Sequence, residues 1–193
     1  VDMLAAGDEG VIITDVTPFY ATMGGQCADT GVIKTADGEF EVTDVVKVQG
    51  GKIAHIGCVK SGLSKLGKAG LEIDTDRRAK ICSNHTATHL LQAALREVLG
   101  DDVHQAGSSQ DPERTRFDFS YGQAVDKEAL ARIEAIVNSK IAEDIEVKTD
   151  VCSIEEAKKS GAMALFGEKY GSTVRVVSAG DFSKELCGGT HVS

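Results

Sequence analysis

The chain has no apolar run long enough to cross a bilayer, which excludes a helical membrane span. It has no basic segment followed by an apolar stretch at its start, where Val1-Asp2-Met3-Leu4 stand, so no signal peptide is expected. It has no Met at position 1, and we expect a piece excised from a longer chain. Its cysteines, Cys27, Cys58, Cys82, Cys152 and Cys187, are scattered and odd in number, which argues against a disulfide framework and for a reducing cytoplasm. Positive charge is also short: 21 Lys and Arg against 30 Asp and Glu leave a net charge of −9. A protein that grips nucleic acid unaided carries a basic patch. Here either the substrate is not nucleic acid or other domains supply most of the grip. The local basic clusters, Arg77-Arg78-Lys80, Arg114-Arg116 and Lys158-Lys159, read as solvated charges. Internal repeats and low-complexity segments are absent.

What remains is an ordinary globular composition over 193 residues, enough for one domain or two small ones. The first seventy-odd residues read as β. Strands are expected at Val11–Val16, Gly31–Lys34, Phe40–Val42 and Val45–Gln49, with Gly50-Gly51 as a hairpin turn into Lys52–Ile56. Short strands with glycine turns suggest a small barrel-like subdomain or a compact sandwich. Gly, Ser and Lys dominate from Leu63 to Leu71, and we place a boundary there: a β-rich glycine-motif subdomain over 1–73 and a second domain over 74–193.

The second part reads as α+β, with helices packed on an antiparallel sheet. Thr75 or Asp76 can cap a helix over Arg77–Leu99, ended by Gly100, with Ile81, Ala87, Leu90, Leu91, Ala94, Leu95 and Val98 as its apolar face. Thr115–Ser120 alternates as a strand. Asp126 can cap a second helix with Leu130, Ile133, Ile136, Val137 and Ile141 inward. Ile145–Lys148 and Val174–Val177 read as strands, and Ser153-Ile154-Glu155-Glu156 as a capping box for a short helix ending at Gly161.

Two spaced pairs carry the chemistry. His85 and His89 are one helical turn apart on one face. Cys187 and His191 have the same spacing, but Gly188-Gly189 between them suits a tight loop. Three nitrogens and a thiolate are a normal tetrahedral set for zinc, provided the fold joins pairs about a hundred residues apart. A zincin protease needs Glu directly after the first His; Thr86 stands there, which argues against a metalloprotease.

Taken in order, His85-Thr86-Ala87-Thr88-His89-Leu90-Leu91, Gln105-Ala106-Gly107-Ser108, Arg116-Phe117-Asp118-Phe119 and Glu185-Leu186-Cys187-Gly188-Gly189-Thr190-His191-Val192 resemble the editing domain of alanyl-tRNA synthetase. Thr17-Pro18-Phe19-Tyr20, Gly24-Gly25-Gln26 and Asp29-Thr30-Gly31 resemble the glycine-rich segment that precedes it. The resemblance covers nearly the whole chain. Related domains occur in free-standing editing proteins and in threonyl-tRNA synthetase; the Cys-Gly-Gly-Thr-His run favours the alanyl branch. Where the family often has an acidic residue after Phe-Tyr-x, this chain has Thr22-Met23, and that position is given no role.

The resemblance implies a hydrolase that deacylates seryl- and glycyl-tRNA(Ala), with the other domains of the synthetase as partners and no membrane involvement. It implies that His85, His89, Cys187 and His191 hold Zn2+, and that Thr88, Gln105, Ser108 and Cys187 form the catalytic pocket. By the residues alone, Thr88 can border the metal or bond its own helix backbone, and Gln105 and Ser108 can be ordinary loop polarity. Arg116 with Asp118 is either a strand-surface pair or a tRNA contact. Gly24-Gly25 reads as a β turn, since a phosphate cradle needs a helix N-terminus behind it. The alternatives to the synthetase reading are a free-standing trans-editing hydrolase, a tRNA-docking module with a structural zinc and a metal-dependent hydrolase of a small ester or amide.

Overall fold

Glycines and β-branched residues set the first half of the chain, in which six strands form one sheet. The computed structural model describes residues 3–164 and 171–193. The strands are β1 (Met3–Ala5), β2 (Glu9–Ile13), β3 (Gly31–Lys34), β4 (Gly38–Lys47), β5 (Ile53–Lys65) and β6 (Gly70–Ile73). They pair antiparallel in the order β1-β5-β4-β3-β6, with β2 also on β5. Among the described residues this path does not return from β6 to β1, so the sheet is open. Gly50 and Gly51 make the expected turn between β4 and β5, with φ of 78° and 76°.

Strand β5 runs well past Ile56, where the sequence reading ends it. Gly57 is the reason. A Cβ there would lie 1.7 Å from the Glu41 carbonyl oxygen, so the glycine permits close approach of β4 rather than ending the strand. A register shift between Val42 and Asp44 absorbs the irregularity. The Gly/Ser/Lys segment from Leu63 to Leu71 contributes the end of β5 and the start of β6. Phe19, Ile33, Phe40, Val42, Val45 and Val59 fill the core of this unit.

The long helix α1 (Thr75–Leu99) starts slightly earlier than expected, because its cap is Asp74 rather than Thr75 or Asp76. Asp74 Oδ1 accepts the Arg77 N–H at 2.9 Å. Arg77 and Arg78 are not solvated charges. Arg77 Nη1 donates to the Ala28 carbonyl at 2.6 Å, and Arg78 Nε donates to the buried Asp29 at 2.8 Å. The glycine-rich segment is thereby tied to the helix start. Gly24 and Gly25, both at positive φ, form the tip of a tight turn closed by Met23 and Gln26.

The chain divides into two compact units, Val1–Ile81 and Cys82–Ser193, with the division inside α1. The second unit contains β7 (His104–Gln110) paired with β8 (Thr115–Ser120), then α2 (Lys127–Ala142). There follow β9 (Val147–Ser153), α3 (Ile154–Lys159), β10 (Thr173–Ala179) and β11 (Ser183–Leu186), the three strands forming an antiparallel sheet ordered β11-β10-β9. Asp126 caps α2 and Ser153 caps α3 with a complete capping box, as their positions predict. Of the residues expected inward on α2, Ile133 is buried and Ile136 and Val137 are partly so, whereas Leu130 and Ile141 are exposed. Ala94 and Leu95 of α1 pack with Val103, Ile133 and the β8 aromatics, and α3 covers the three-stranded sheet through Ala157. The fold is α+β.

Candidate metal centre

Along α1 the buried positions include a polar seam, His85, Thr88, His89 and Gln92, spaced three or four residues apart. The loop after β11 brings Cys187 and His191 to that seam. Ring centroids are 5.3 Å apart for His85–His89, 4.3 Å for His85–His191 and 4.7 Å for His89–His191. One ligand atom from each of His85, His89, Cys187 and His191 lies within 4.8 Å of all the others. Cys187 Sγ is 3.4 Å from His85 Nε2 and 3.3 Å from His191 Nε2. A tetrahedral ion with Zn–N of about 2.05 Å and Zn–S of about 2.3 Å would require nitrogen–sulfur separations of roughly 3.6 Å. The four donors could therefore hold a metal ion with small adjustments.

The loop is anchored from several sides. Arg175 Nη1 donates to the carbonyls of Gly188 and Gly189 at 2.8 and 2.9 Å. Cys187 N–H donates to the Arg175 carbonyl at 3.1 Å, and Val192 N–H to Thr86 Oγ1 at 3.2 Å. Cys82 Sγ lies 3.2 Å from Thr190 Oγ1.

Burial dominates the electrostatics. It lowers His85 to about 4, with the Arg175 charge adding to the effect. Burial lowers His89 to about 3, aided by His85, and His191 to about 2, aided by its two histidine neighbours and Arg175. The imidazoles are thus neutral, the form that binds metals. Burial also raises the Cys187 thiol and pushes Glu185 up to about 8. A cation at the centre would reverse this penalty on the thiolate.

The other residues expected in the pocket, Thr88, Gln105 and Ser108, lie on α1 and β7. Thr88 Oγ1 donates to the Asn84 carbonyl at 2.8 Å, the back-bond to its own helix. It lies 2.6 Å from Thr115 Oγ1 and 3.4 Å from Gln110 Nε2, whose hydrogens it is left to accept. One proton and two lone pairs are then all used. Gln110 Oε1 is buried without a partner. Gln105 and Ser108 are on a strand, not a loop. Three residues apart on a regular strand, they would face opposite ways. A bulge between Gln105 and Gly107 inserts one residue, so Gln105 pairs with Phe119 and Ser108 with Phe117, on one face. Gln105 Nε2 accordingly donates to Ser108 Oγ at 3.3 Å. Arg116 and Asp118 form an exposed ion pair at 3.2 Å.

The sequence reading did not single out Glu185, Arg175, Gln110 or Thr115, and read Thr86 only as the residue that excludes a protease. No spacing signal marks them; each acts across elements that only the fold brings together.

A family model described as "tRNA synthetases class II (A)" matches residues 1–77, and one described as "Threonyl and Alanyl tRNA synthetase second additional domain" matches residues 174–193. Along its whole length the chain is 58% identical to alanine–tRNA ligase 1 of Lachnoclostridium phytofermentans. It is 52% identical to the alanine–tRNA ligase of Shewanella loihica and 49% identical to that of Nitrosomonas europaea. The chain spans 22% of the length of each of these relatives. It belongs, over the segment it covers, to the alanyl-tRNA synthetase family, and its residues 174–193 match that family's second additional domain.

Proposed function

We propose that this chain is a hydrolytic editing site that deacylates seryl- and glycyl-tRNA(Ala), with His85, His89, Cys187 and His191 holding Zn2+. The observation that carries this reading is the convergence of three neutral imidazoles and one thiol on one point beside the polar seam of α1. Synthetase editing answers a known physical limit. A pocket built for alanine gains only about 1–3 kcal/mol from a methyl that glycine lacks, and it rejects an added hydroxyl poorly. A second, hydrolytic site supplies the missing discrimination.

Bound zinc would supply a Lewis acid, an activated water or a fixed point for the terminal adenosine. The chain's own residues do the sorting. The bulged β7 turns Gln105 and Ser108 to one side as a polar wall that pairs with the serine hydroxyl. Alanine has no hydroxyl to pair with them and forgoes about 0.5–1.5 kcal/mol for each hydrogen bond that serine makes. Thr88 joins that wall only by releasing a partner, and the 3.4 Å contact with Gln110 is the weakest to give up. Cys187 acts as ligand and as part of the pocket floor.

The partners are the acceptor end of tRNA(Ala) and the remaining synthetase domains. A net charge of −9 supports leaving most of the tRNA grip to those domains. Five free cysteines and the lack, among the described residues, of any helix long and apolar enough to cross a membrane support a cytoplasmic setting.

One observation favours a second reading. Four protein donors close a tetrahedral site, and closed sites are usually structural. The fragment would then dock tRNA without hydrolysing it. Hydrolysis of seryl-tRNA(Ala) and alanyl-tRNA(Ala) by this chain, with zinc measured on the same sample, separates the two. Loss of the seryl ester with the alanyl ester spared supports editing. One zinc bound with neither ester cleaved, even when the rest of the synthetase is supplied, supports the structural site.

A further inference from the structure

One ring nitrogen of His191 and one of His89 face groups that are not among the four donors. His191 shows Nε2 to Cys187 and Nδ1 to Thr86 Oγ1, at 3.1 Å. His89 places Nδ1 at 3.2 Å from Glu185 Oε2, inside ion-pair distance but off the line of a good hydrogen bond, and this buried nitrogen has no hydrogen-bond partner. Thr86 is 7% exposed and Glu185 8%, so water does not compete freely for either contact. The second carboxylate oxygen of Glu185 is near Ser183 Oγ, at 3.5 Å. The support is reciprocal. Thr86 on α1 reaches the histidine of the loop, and Glu185 on β11 reaches a histidine of α1.

We propose that Thr86 and Glu185 are positioning residues that hold His191 and His89 as Nδ1–H tautomers, leaving the Nε2 lone pair of His191 toward the Cys187 sulfur and that of His89 free to ligate. A neutral imidazole has one N–H and one lone pair, and the partner of one nitrogen decides which it carries. A carboxyl oxygen that bears no hydrogen favours the proton on the Nδ1 opposite it, and Glu185 Oε2 is that oxygen when any acid proton sits on Oε1, toward Ser183 Oγ. Thr86 Oγ1 already accepts the Val192 N–H and has one lone pair left for Nδ1–H. Its own proton then stays free for a helix carbonyl, the usual partner of a helical threonine. The opposite tautomer would put the N–H of His191 against the thiol and deny His89 its Nε2 lone pair, and an N–H cannot ligate. The consequence for metal affinity rests on the zinc site proposed above; the tautomers themselves do not.

Long-range 1H–15N correlation on the metal-free chain reads the tautomers directly and needs no variant. Protonated Nδ1 with bare Nε2 is expected for His191 and His89; Nε2–H on either ring overturns the proposal. Zinc affinity by competition with a chromophoric chelator is the second arm. Thr86→Val and Glu185→Ala, folded by circular dichroism, are expected to bind zinc roughly 10- to 100-fold more weakly. Thr86→Ser, which restores the hydroxyl, should return close to the unaltered chain. Unchanged affinity in both Thr86→Val and Glu185→Ala would overturn the positioning role. If the unaltered chain takes up no zinc, the metal site fails by itself, and the tautomers still decide this inference.

Discussion

Cys187 brings the one donor of the four that becomes anionic on binding a cation, yet its thiol is pushed up by burial when no cation is there. Its contribution should therefore be large and specific to metal binding. Tetrahedral zinc sites contribute about 10–16 kcal/mol in all, so one ligand accounts for roughly 3 kcal/mol, about 100-fold in affinity. Cys187→Ala is expected to lose that much zinc affinity, and hydrolysis of seryl-tRNA(Ala) with it. Full hydrolysis by a zinc-free Cys187→Ala chain would show that the metal is dispensable. Thr88 makes a different case. Replacing it with Val keeps the shape but leaves Thr115 Oγ1 and Gln110 Nε2 without their acceptor in a buried place. Urea unfolding of Thr88→Val should show a loss of about 1–3 kcal/mol. A variant as stable as the parent would mean that the network contributes nothing and that Thr88 is free for substrate.

Among the elements, those with strong local chemistry were legible and those defined by a partner strand were not. Asp126 and the Ser153–Glu156 box announce α2 and α3, and β8 alternates clearly enough to be bounded in sequence. The long reach of β5 was hidden because Gly57 and Gly62 look like breakers until the neighbouring backbone is seen against them. The polar seam of α1 was half legible. The four-residue spacing marks His85 and His89, but nothing local says that Thr86 and Gln92 are buried as well. Strand β7 was hidden because Gln105-Ala106-Gly107-Ser108 has no alternation to offer; the bulge replaces it. That bulge invites a test. Deleting Ala106 would restore regular pairing and send Gln105 to the face opposite Ser108. The expected result is a folded, zinc-binding chain whose preference for the seryl over the alanyl ester is lost. Retained preference would remove Gln105 and Ser108 from the sorting role.

On the scale of the whole molecule, the stability of the metal-free chain should follow its buried titratable groups. Four of the five histidines, His55, His85, His89 and His191, have lowered values, each with burial as the first cause. In unit 1, His55 is held neutral between the Ile12 carbonyl and the Thr17 hydroxyl at 2.9 and 2.8 Å. Below about pH 6.5 the unfolded chain takes up protons on these rings that the folded chain refuses. Stability therefore falls as pH drops from about 6.5 toward the folded values of about 4, 3 and 2 for His85, His89 and His191. The slope is about 1.4 kcal/mol per pH unit for each ring at most. Glu185 acts in the opposite sense. Its folded value of about 8 lies above its ordinary 4.5, so the folded chain holds the extra proton and loses that advantage as pH rises between the two. Between pH 4.5 and 6.5 the histidines outweigh the single carboxyl; above 6.5 the carboxyl dominates, joined in the same sense by the raised Cys187 thiol at the alkaline end. The metal-free chain should thus be most stable near pH 6.5. Urea midpoints of the chelator-treated chain at pH 5, 6.5 and 8 check this. Glu185→Gln should flatten the alkaline side and leave the acid side in place. Zinc at a hundred times its dissociation constant should add about 2.7 kcal/mol at pH 8 and progressively less toward pH 5, where protons compete for the same rings. A flat profile from pH 5 to 8 without metal would mean that these rings are not buried as neutral groups, and the geometry of the centre would have to be redrawn.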